Sequence, residues 1–284
     1  MKISYYNGEF INDDDMKVEY KDRAVYFGDG VYEVIRIYDG EFFTFDEHVD
    51  RLINSAREID IDDLEREDVV SVLQGIKEKN NIENGALYIQ VTRGIAVRNH
   101  NYPAGVEPVI MAYINEAVRP LTQQEAGVNV VTSLDYRWLK CHIKSLNLLA
   151  NVLEKERAVK AGAKETILHR EGTVTEGSST NAFIVKDDVL ITHPANNLIL
   201  NGITRQEVLK LAKADNVEVK EEAFSVDDLY EADEAFFTST TQEITPIVQV
   251  DNKLVKDGEV GTLTKRLQNL FDSQLNKLNP VKQS

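Results

Sequence analysis

The sequence contains a single cysteine, Cys141, which excludes an intrachain disulfide and fits a reducing compartment. With no partner pattern around it, that thiol reads as a small buried hydrophobe. Basic residues are also scarce: 32 Lys and Arg stand against 48 Asp and Glu, giving a formal net charge of −16. Nucleic acid and anionic lipid surfaces both need concentrated positive charge, so neither is an expected partner. No apolar run approaches the roughly 18 residues of a membrane span, and no amino-terminal segment reads as a signal peptide. A cytoplasmic protein is expected. Internal repeats and low-complexity tracts are missing too, and the acidic runs 13–15 and 60–65 read as solvated turns and helix starts.

The 284 residues suffice for two domains, each with its own core. Residues 3–6 and 9–11 flank Asn7-Gly8, a pair that supplies both positive φ angles of a tight hairpin turn. A second hairpin joins 31–38 to 41–45 through Asp39-Gly40, and its alternation sends Tyr32 and Arg36 to the face opposite Val31, Ile35 and Ile37. Helical spacing follows over 46–59 and 65–80, then strands over 86–92 and 109–114. The order predicts an α+β fold, with an N-terminal α+β domain over 1–118, a linker over 119–125 around Arg119-Pro120, and a C-terminal α/β domain over 126–284. In that second part strands are expected over 128–132, 166–169, 182–185, 189–192 and 234–239, with helices over 205–214 and 261–276.

Five features are polar where their neighbours are apolar. Lys144 ends the apolar alternation Leu139, Cys141, Ile143 and precedes Leu146, Leu149, Ala150 and Leu153, whose spacing predicts a helix capped by Ser145. A lysine at such a junction meets the positive end of a helix dipole, which favours the neutral amine that Schiff-base formation needs. Residues 175–181, Thr-Glu-Gly-Ser-Ser-Thr-Asn, form a polar stretch between two strands. Asn201-Gly202-Ile203-Thr204 gathers amides and a hydroxyl at a helix start, a ready anion site. Thr238-Ser239-Thr240-Thr241 closes an apolar strand, and Arg98-Asn99-His100 sets a cation and an imidazole two apart in a loop.

Singly, each feature reads as well as an ordinary surface lysine, turn, cap or exposed loop. Jointly they suit one ligand. A phosphate finds an arginine, a helix start and hydroxyls in Arg51, Thr204 and Thr240, while Glu176 offers an anion to a pyridine nitrogen and Lys144 an amine to an aldehyde. Pyridoxal 5'-phosphate needs all three, and no metal ion is expected.

Residue strings across the whole chain resemble the fold-type-IV pyridoxal-phosphate enzymes, the group of branched-chain aminotransferases, D-amino acid aminotransferases and aminodeoxychorismate lyase. They are Asp22-Arg23, Phe27-Gly28-Asp29-Gly30-Val31-Tyr32-Glu33, Glu47-His48, Val91-Thr92-Arg93-Gly94, Arg98-Asn99-His100, Ile143-Lys144-Ser145-Leu146-Asn147, Val174-Thr175-Glu176-Gly177-Ser178-Ser179, Leu200-Asn201-Gly202-Ile203-Thr204-Arg205 and Ser239-Thr240. The resemblance implies that fold, with two domains and the cofactor in the cleft between them. It implies that Lys144 is the Schiff-base and general acid/base residue, that Glu176 meets the pyridine nitrogen, and that Arg51, Ile203, Thr204 and Thr240 surround the phosphate. Leu200 is expected against the cofactor ring, with Ser179 and Ser239 close to it.

The likeness to the D-amino acid enzymes implies ping-pong transamination between D-amino acids (D-alanine, D-glutamate) and 2-oxo acids (pyruvate, 2-oxoglutarate). Arg98 then traps the substrate carboxylate, helped by His100 and Tyr32, and the loop reaches in from the partner subunit of a homodimer. Two departures bear on substrate range and pH optimum. Ala24-Val25 stand where those enzymes usually carry Gly-Tyr, and His142 stands where they carry Asp. Two other functions remain open: an L-branched-chain aminotransferase or aminodeoxychorismate lyase of the same fold, and a metabolite-binding protein without catalysis.

Overall fold

A computed structural model describes residues 2–278; residue 1 and residues 279–284, the expected outer ends of the two domains, lie outside them. The chain forms two compact units. The first runs to Val118 and includes Ile143–Leu148; the second comprises Arg119–His142 and everything from Leu149 on.

In the first unit the elements are β1 (Ile3–Tyr6), β2 (Glu9–Asn12), α1 (Arg23–Phe27), β3 (Gly30–Tyr38), β4 (Glu41–Phe42), α2 (Phe45–Arg57), α3 (Arg66–Asn80), β5 (Gly85–Thr92) and β6 (Val109–Glu116). They build a six-stranded sheet in the order β2-β1-β6-β5-β3-β4. Asn7 and Gly8 have φ of 45° and 99°, as a primed hairpin turn demands. Residues 43–45, expected to extend the second hairpin, instead lead into α2, whose first residue is Phe45. Alternation on β3 and β5 sends Val31, Ile35, Ile37, Leu87, Ile89 and Val91 into one core with Val49, Leu52 and Ala56 of α2 and Leu73 and Ile76 of α3. Each such aliphatic side chain contributes about 1.5–3 kcal/mol by leaving water. Glu33 lies on the same alternation, fully buried, so it requires partners from α2.

The second unit contains α4 (Leu121–Ala126), β7 (Val128–Leu134), α5 (Leu149–Lys160), β8 (Glu165–Arg170), β9 (Thr173–Gly177), β10 (Asn181–Lys186), β11 (Val189–Thr192), α6 (Ile203–Ala214), β12 (Val219–Glu221), α7 (Val226–Tyr230), β13 (Glu234–Ser239), β14 (Glu243–Val250), β15 (Lys253–Leu254) and α8 (Thr262–Leu278). Its nine-stranded sheet has the order β12-β11-β10-β13-β14-β7-β8-β9, with β15 on β14. Val130, Ile167, Ala182, Ile184, Ala235, Phe237 and Ile247 form its core.

Three local expectations change. The stretch 119–125 is mostly helix α4 rather than linker, and Arg119 is pinned by Glu243 at 2.7 Å and Asp272 at 2.5 Å. Thr175 and Glu176 belong to strand β9, not to a turn. Most consequentially, the helix expected from Ser145 starts only at Leu149. Residues 143–148 use their backbone elsewhere: the Leu146 N–H donates to Gly30 O at 2.9 Å and Asn147 Nδ2 to Gly28 O at 3.0 Å. Lys144 therefore belongs to the first unit, not to the C-terminal domain, and the helix that follows it starts five residues later.

Candidate functional site

Lys144 is half-buried and its backbone is fixed on β3, the Tyr32 N–H donating to Lys144 O at 3.0 Å. Its own N–H donates to Ser55 Oγ of α2 at 3.3 Å. The amine lies 4.2 Å from the centre of the Tyr32 ring, which stacks on Tyr88 at 5.7 Å and through it on Tyr113 at 5.0 Å. The alternation of β3 thus brings Tyr32 to Lys144 on the face away from the core. Arg36, on the same alternation, is instead buried and donates to Ala117 O at 3.0 Å.

Arg51 projects from α2 toward the buried Glu33. Its Nε donates to Oε1 at 2.5 Å and its Nη2 to Oε2 at 2.9 Å, while His48 Nδ1 lies 2.8 Å from Oε2. Burial alone would raise the Glu33 carboxyl, but Arg51 and His48 hold it well below its ordinary value. Burial also pushes His48 below its usual value; facing a carboxylate that can only accept, its Nδ1 is the donor.

Arg98 and His100 share a third cluster in this unit. The Arg98 guanidinium stands 5.1 Å from the centre of the Phe27 ring and the His100 ring 5.3 Å from it. Both are exposed. No contact brings either one to Lys144 within the described residues of the chain.

In the second unit Glu176 is buried on β9. Its Oε1 accepts from Arg137 Nη1 at 2.6 Å; its Oε2 accepts from Asn181 Nδ2 and from the Leu200 N–H, both at 3.0 Å. Burial pushes the carboxyl up and Arg137 pulls against it. Arg137 is in turn held by Asp135 at 2.9 Å, whose carboxyl sits at about 2 because burial is outweighed by the arginine. A carboxylate accepts about four hydrogen bonds, so a further donor such as a protonated pyridine nitrogen fits.

Asn181 also donates to Leu200 O at 2.8 Å, and a Cβ on Gly202 would overlap its Oδ1. This ties Glu176 to the residues that open α6, where Ile203 and Thr204 are buried and Gly202 supplies no side-chain cap. The first-turn N–H groups therefore suit a phosphate. Across the sheet Asn181 pairs with Thr238, which puts Ser239 and Thr240 at the adjoining strand end. The Ser179 hydroxyl donates to Glu165 Oε2 at 3.1 Å. Arg137 and Asn181 were not singled out by sequence pattern; Asn181 was legible only as the last residue of the polar stretch, and Arg137 carried no local signal.

Among the described residues no group of His, Cys, Asp and Glu is arranged to hold a metal ion, and no helix is long and apolar enough to cross a membrane.

The chain is similar to known proteins along nearly its whole length. Residues 30–250 match the family described as amino-transferase class IV. A D-alanine aminotransferase of Staphylococcus aureus (strain COL) is 50% identical over 97% of this chain and 98% of its own. Among solved structures, the branched-chain amino acid aminotransferase of Escherichia coli superposes with a TM-score of 0.90 at 30% identity, covering 96% of this chain and 94% of the other. The T.th. enzyme of the same name, solved with pyridoxamine 5'-phosphate, gives 0.89 at 27% identity, covering 98% and 95%. The mixed helix and sheet architecture is accordingly the fold-type-IV one.

Proposed function

The chain belongs to the class IV aminotransferases, and on that premise we propose that it exchanges amino groups between D-amino acids, D-alanine and D-glutamate among them, and 2-oxo acids such as pyruvate and 2-oxoglutarate. The carrying observation is the likeness to a D-alanine aminotransferase over 97% of the chain. Pyridoxal 5'-phosphate is the cofactor; when bound it supplies an aldehyde and an electron sink. The kinetics are then ping-pong.

The residues divide the work. Lys144 Nζ is the amine for the aldehyde and, once free, takes the substrate's α-proton and holds it for return. Glu176, paired with Arg137, accepts a hydrogen bond from the pyridine nitrogen. Arg51, the N–H groups of Ile203 and Thr204, and the Thr240 hydroxyl receive the phosphate; Leu200, Ser179 and Ser239 line the ring. Arg98, with His100 and Tyr32, binds the substrate carboxylate through charge-assisted hydrogen bonds. Since the α-hydrogen must face Lys144, the side on which that carboxylate is bound sets the reactive enantiomer.

The protein is further proposed to be a cytoplasmic homodimer in which the 98–100 loop of one subunit completes the site of the other. Sedimentation of the holoenzyme reads the oligomeric state. A mixture of Lys144→Ala and Arg98→Ala chains regains activity if the loop acts across the interface.

A coupled assay of D-alanine against L-alanine, L-leucine and aminodeoxychorismate tests the reading. Preference for D-alanine is expected, together with loss of both turnover and the cofactor's visible absorbance in Lys144→Ala. Preference for any of the other three overturns it. The likeness to the E. coli branched-chain enzyme makes L-leucine the informative competitor.

A further inference from the structure

We propose that Asp29 is a positioning residue for the substrate carboxylate, acting through two buried arginines that fix the loop bearing Arg98 and His100. The inference rests on the carboxylate-binding role assigned to that loop.

Asp29 lies in the turn between α1 and β3. It accepts from Arg23 Nε at 2.7 Å and from Arg93 Nε at 2.9 and 3.1 Å. Both arginines are buried, with 3% and 7% of their surface exposed. Arg23 uses its remaining edge on the backbone of that loop, whereas Arg93 uses its own on the turn after α2 and meets the loop at the Tyr102 ring. Arg23 Nη1 donates to Asn99 O at 2.6 Å and to Asn101 O at 3.4 Å, the carbonyls that bracket His100. Arg93 Nη2 and Nη1 donate to Ile59 O at 2.6 Å and Asp60 O at 2.9 Å, and its guanidinium lies 3.6 Å from the centre of the Tyr102 ring. Arg23 also stands 4.8 Å from the Phe27 ring centre, the same ring that Arg98 and His100 flank.

One carboxylate thus keeps two like charges together beneath the loop. Without it, two desolvated guanidinium groups repel, and the Asn99 and Asn101 carbonyls lose the donor that sets their height. The loop root is closely packed: Gly94 sits at φ 117° with no space for a Cβ against Glu107 O. Displacing Arg98 and His100 by even a fraction of an ångström weakens paired hydrogen bonds to a carboxylate and leaves the proton-transfer step at Lys144 intact.

The test uses the holoenzyme with Asp29→Asn, Asp29→Glu, Arg23→Lys and Arg98→Ala. Asp29→Asn and Arg23→Lys are each expected to raise the KM for D-alanine about tenfold or more with kcat within about threefold. Asp29→Glu recovers at least part of the loss. Reaction with 1-aminopropane, an amine without a carboxylate, followed by decay of the cofactor's visible absorbance, is expected to stay within about twofold in the same variants. Should Asp29→Asn fail to fold, Arg23→Lys carries the test alone, since it retains the charge beside Asp29 and shortens the reach to Asn99. The inference is overturned if both variants leave the KM for D-alanine unchanged while Arg98→Ala raises it. Equal losses toward D-alanine and 1-aminopropane also overturn it, because they mark general damage. If Arg98→Ala itself changes no KM, the carboxylate-binding reading falls and this inference with it.

Discussion

Arg137 Nη1 donates to Glu176 Oε1 across 2.6 Å, and both side chains are buried. The carboxylate therefore has its counter-charge within the second unit. Asp135 on the far side of the guanidinium, at 2.9 Å, balances the arginine, so the three groups form one chain of alternating charge.

Replacing Arg137 by Met breaks that chain and leaves Glu176 with only the Asn181 amide and the Leu200 N–H. Losing one partner of a buried pair costs about 3–5 kcal/mol, readable as a lowered urea midpoint. Without Arg137 to oppose it, burial pushes the Glu176 carboxyl further up, and kcat should fall about a hundredfold, the scale of removing one charge-stabilising group. A variant with kcat within about twofold of the parent would show that Glu176 needs no arginine.

Two buried carboxylates held below their ordinary values contribute to the acid side of the stability profile. Glu33 and Asp135 have folded values below those of the unfolded chain. The stability they contribute is thus complete above their ordinary values of 4.5 and 3.8 and is lost as pH falls toward the folded values. For Asp135, lowered from 3.8 to about 2, this amounts to about 2 kcal/mol. Melting temperature should drop steeply from pH 5 to 3, and Asp135→Asn should flatten that slope. An unchanged slope in Asp135→Asn would refute the assignment.

Gly202→Ala forces a Cβ onto Asn181 Oδ1, the amide that links Glu176 to Leu200. Overpacking of this kind costs about 1–3 kcal/mol. Half of that or more should return in the double variant with Asn181→Ala, where the obstructing atom is gone. Thermal melts of the two single variants and the double variant complete the cycle; strict additivity would mean that the two residues do not meet.

Arg98 is exposed, so Arg98→Ala should leave the melting temperature within a degree or two. Its effect should fall on binding: about a hundredfold rise in KM for D-alanine with a smaller change in kcat. Arg98→Lys should recover little, since a point charge does not replace a planar fork.

The strands and helices with clear periodicity were legible because one residue type per position decides them. Asn7-Gly8 is an example, and so is the alternation of β3. The segment 145–153 was not, since Leu146, Leu149, Ala150 and Leu153 have helical spacing whether or not the backbone is free to coil, and Gly30 and Gly28 claim it first. β14 carries Pro246, which argues against a central strand, yet Pro246 pairs opposite Phe236. The proposed site residues stood out by resemblance. Of the groups that support them, Arg137 did not, and Arg23 and Asp29 stood in matching strings without a role; their work depends on partners 39, 76 and 64 residues away in the chain.

Because Ile143–Leu148 packs with the first unit while its flanks belong to the second, the polypeptide passes between the units three times, after Val118, after His142 and after Leu148. A single protease nick at Val118 would release residues 1–118 but leave Ile143–Leu148, part of the first unit, attached to the second. The first unit expressed as residues 1–118 would lack the segment that covers β3, so splitting this protein into two genes requires carrying that hexapeptide across with it.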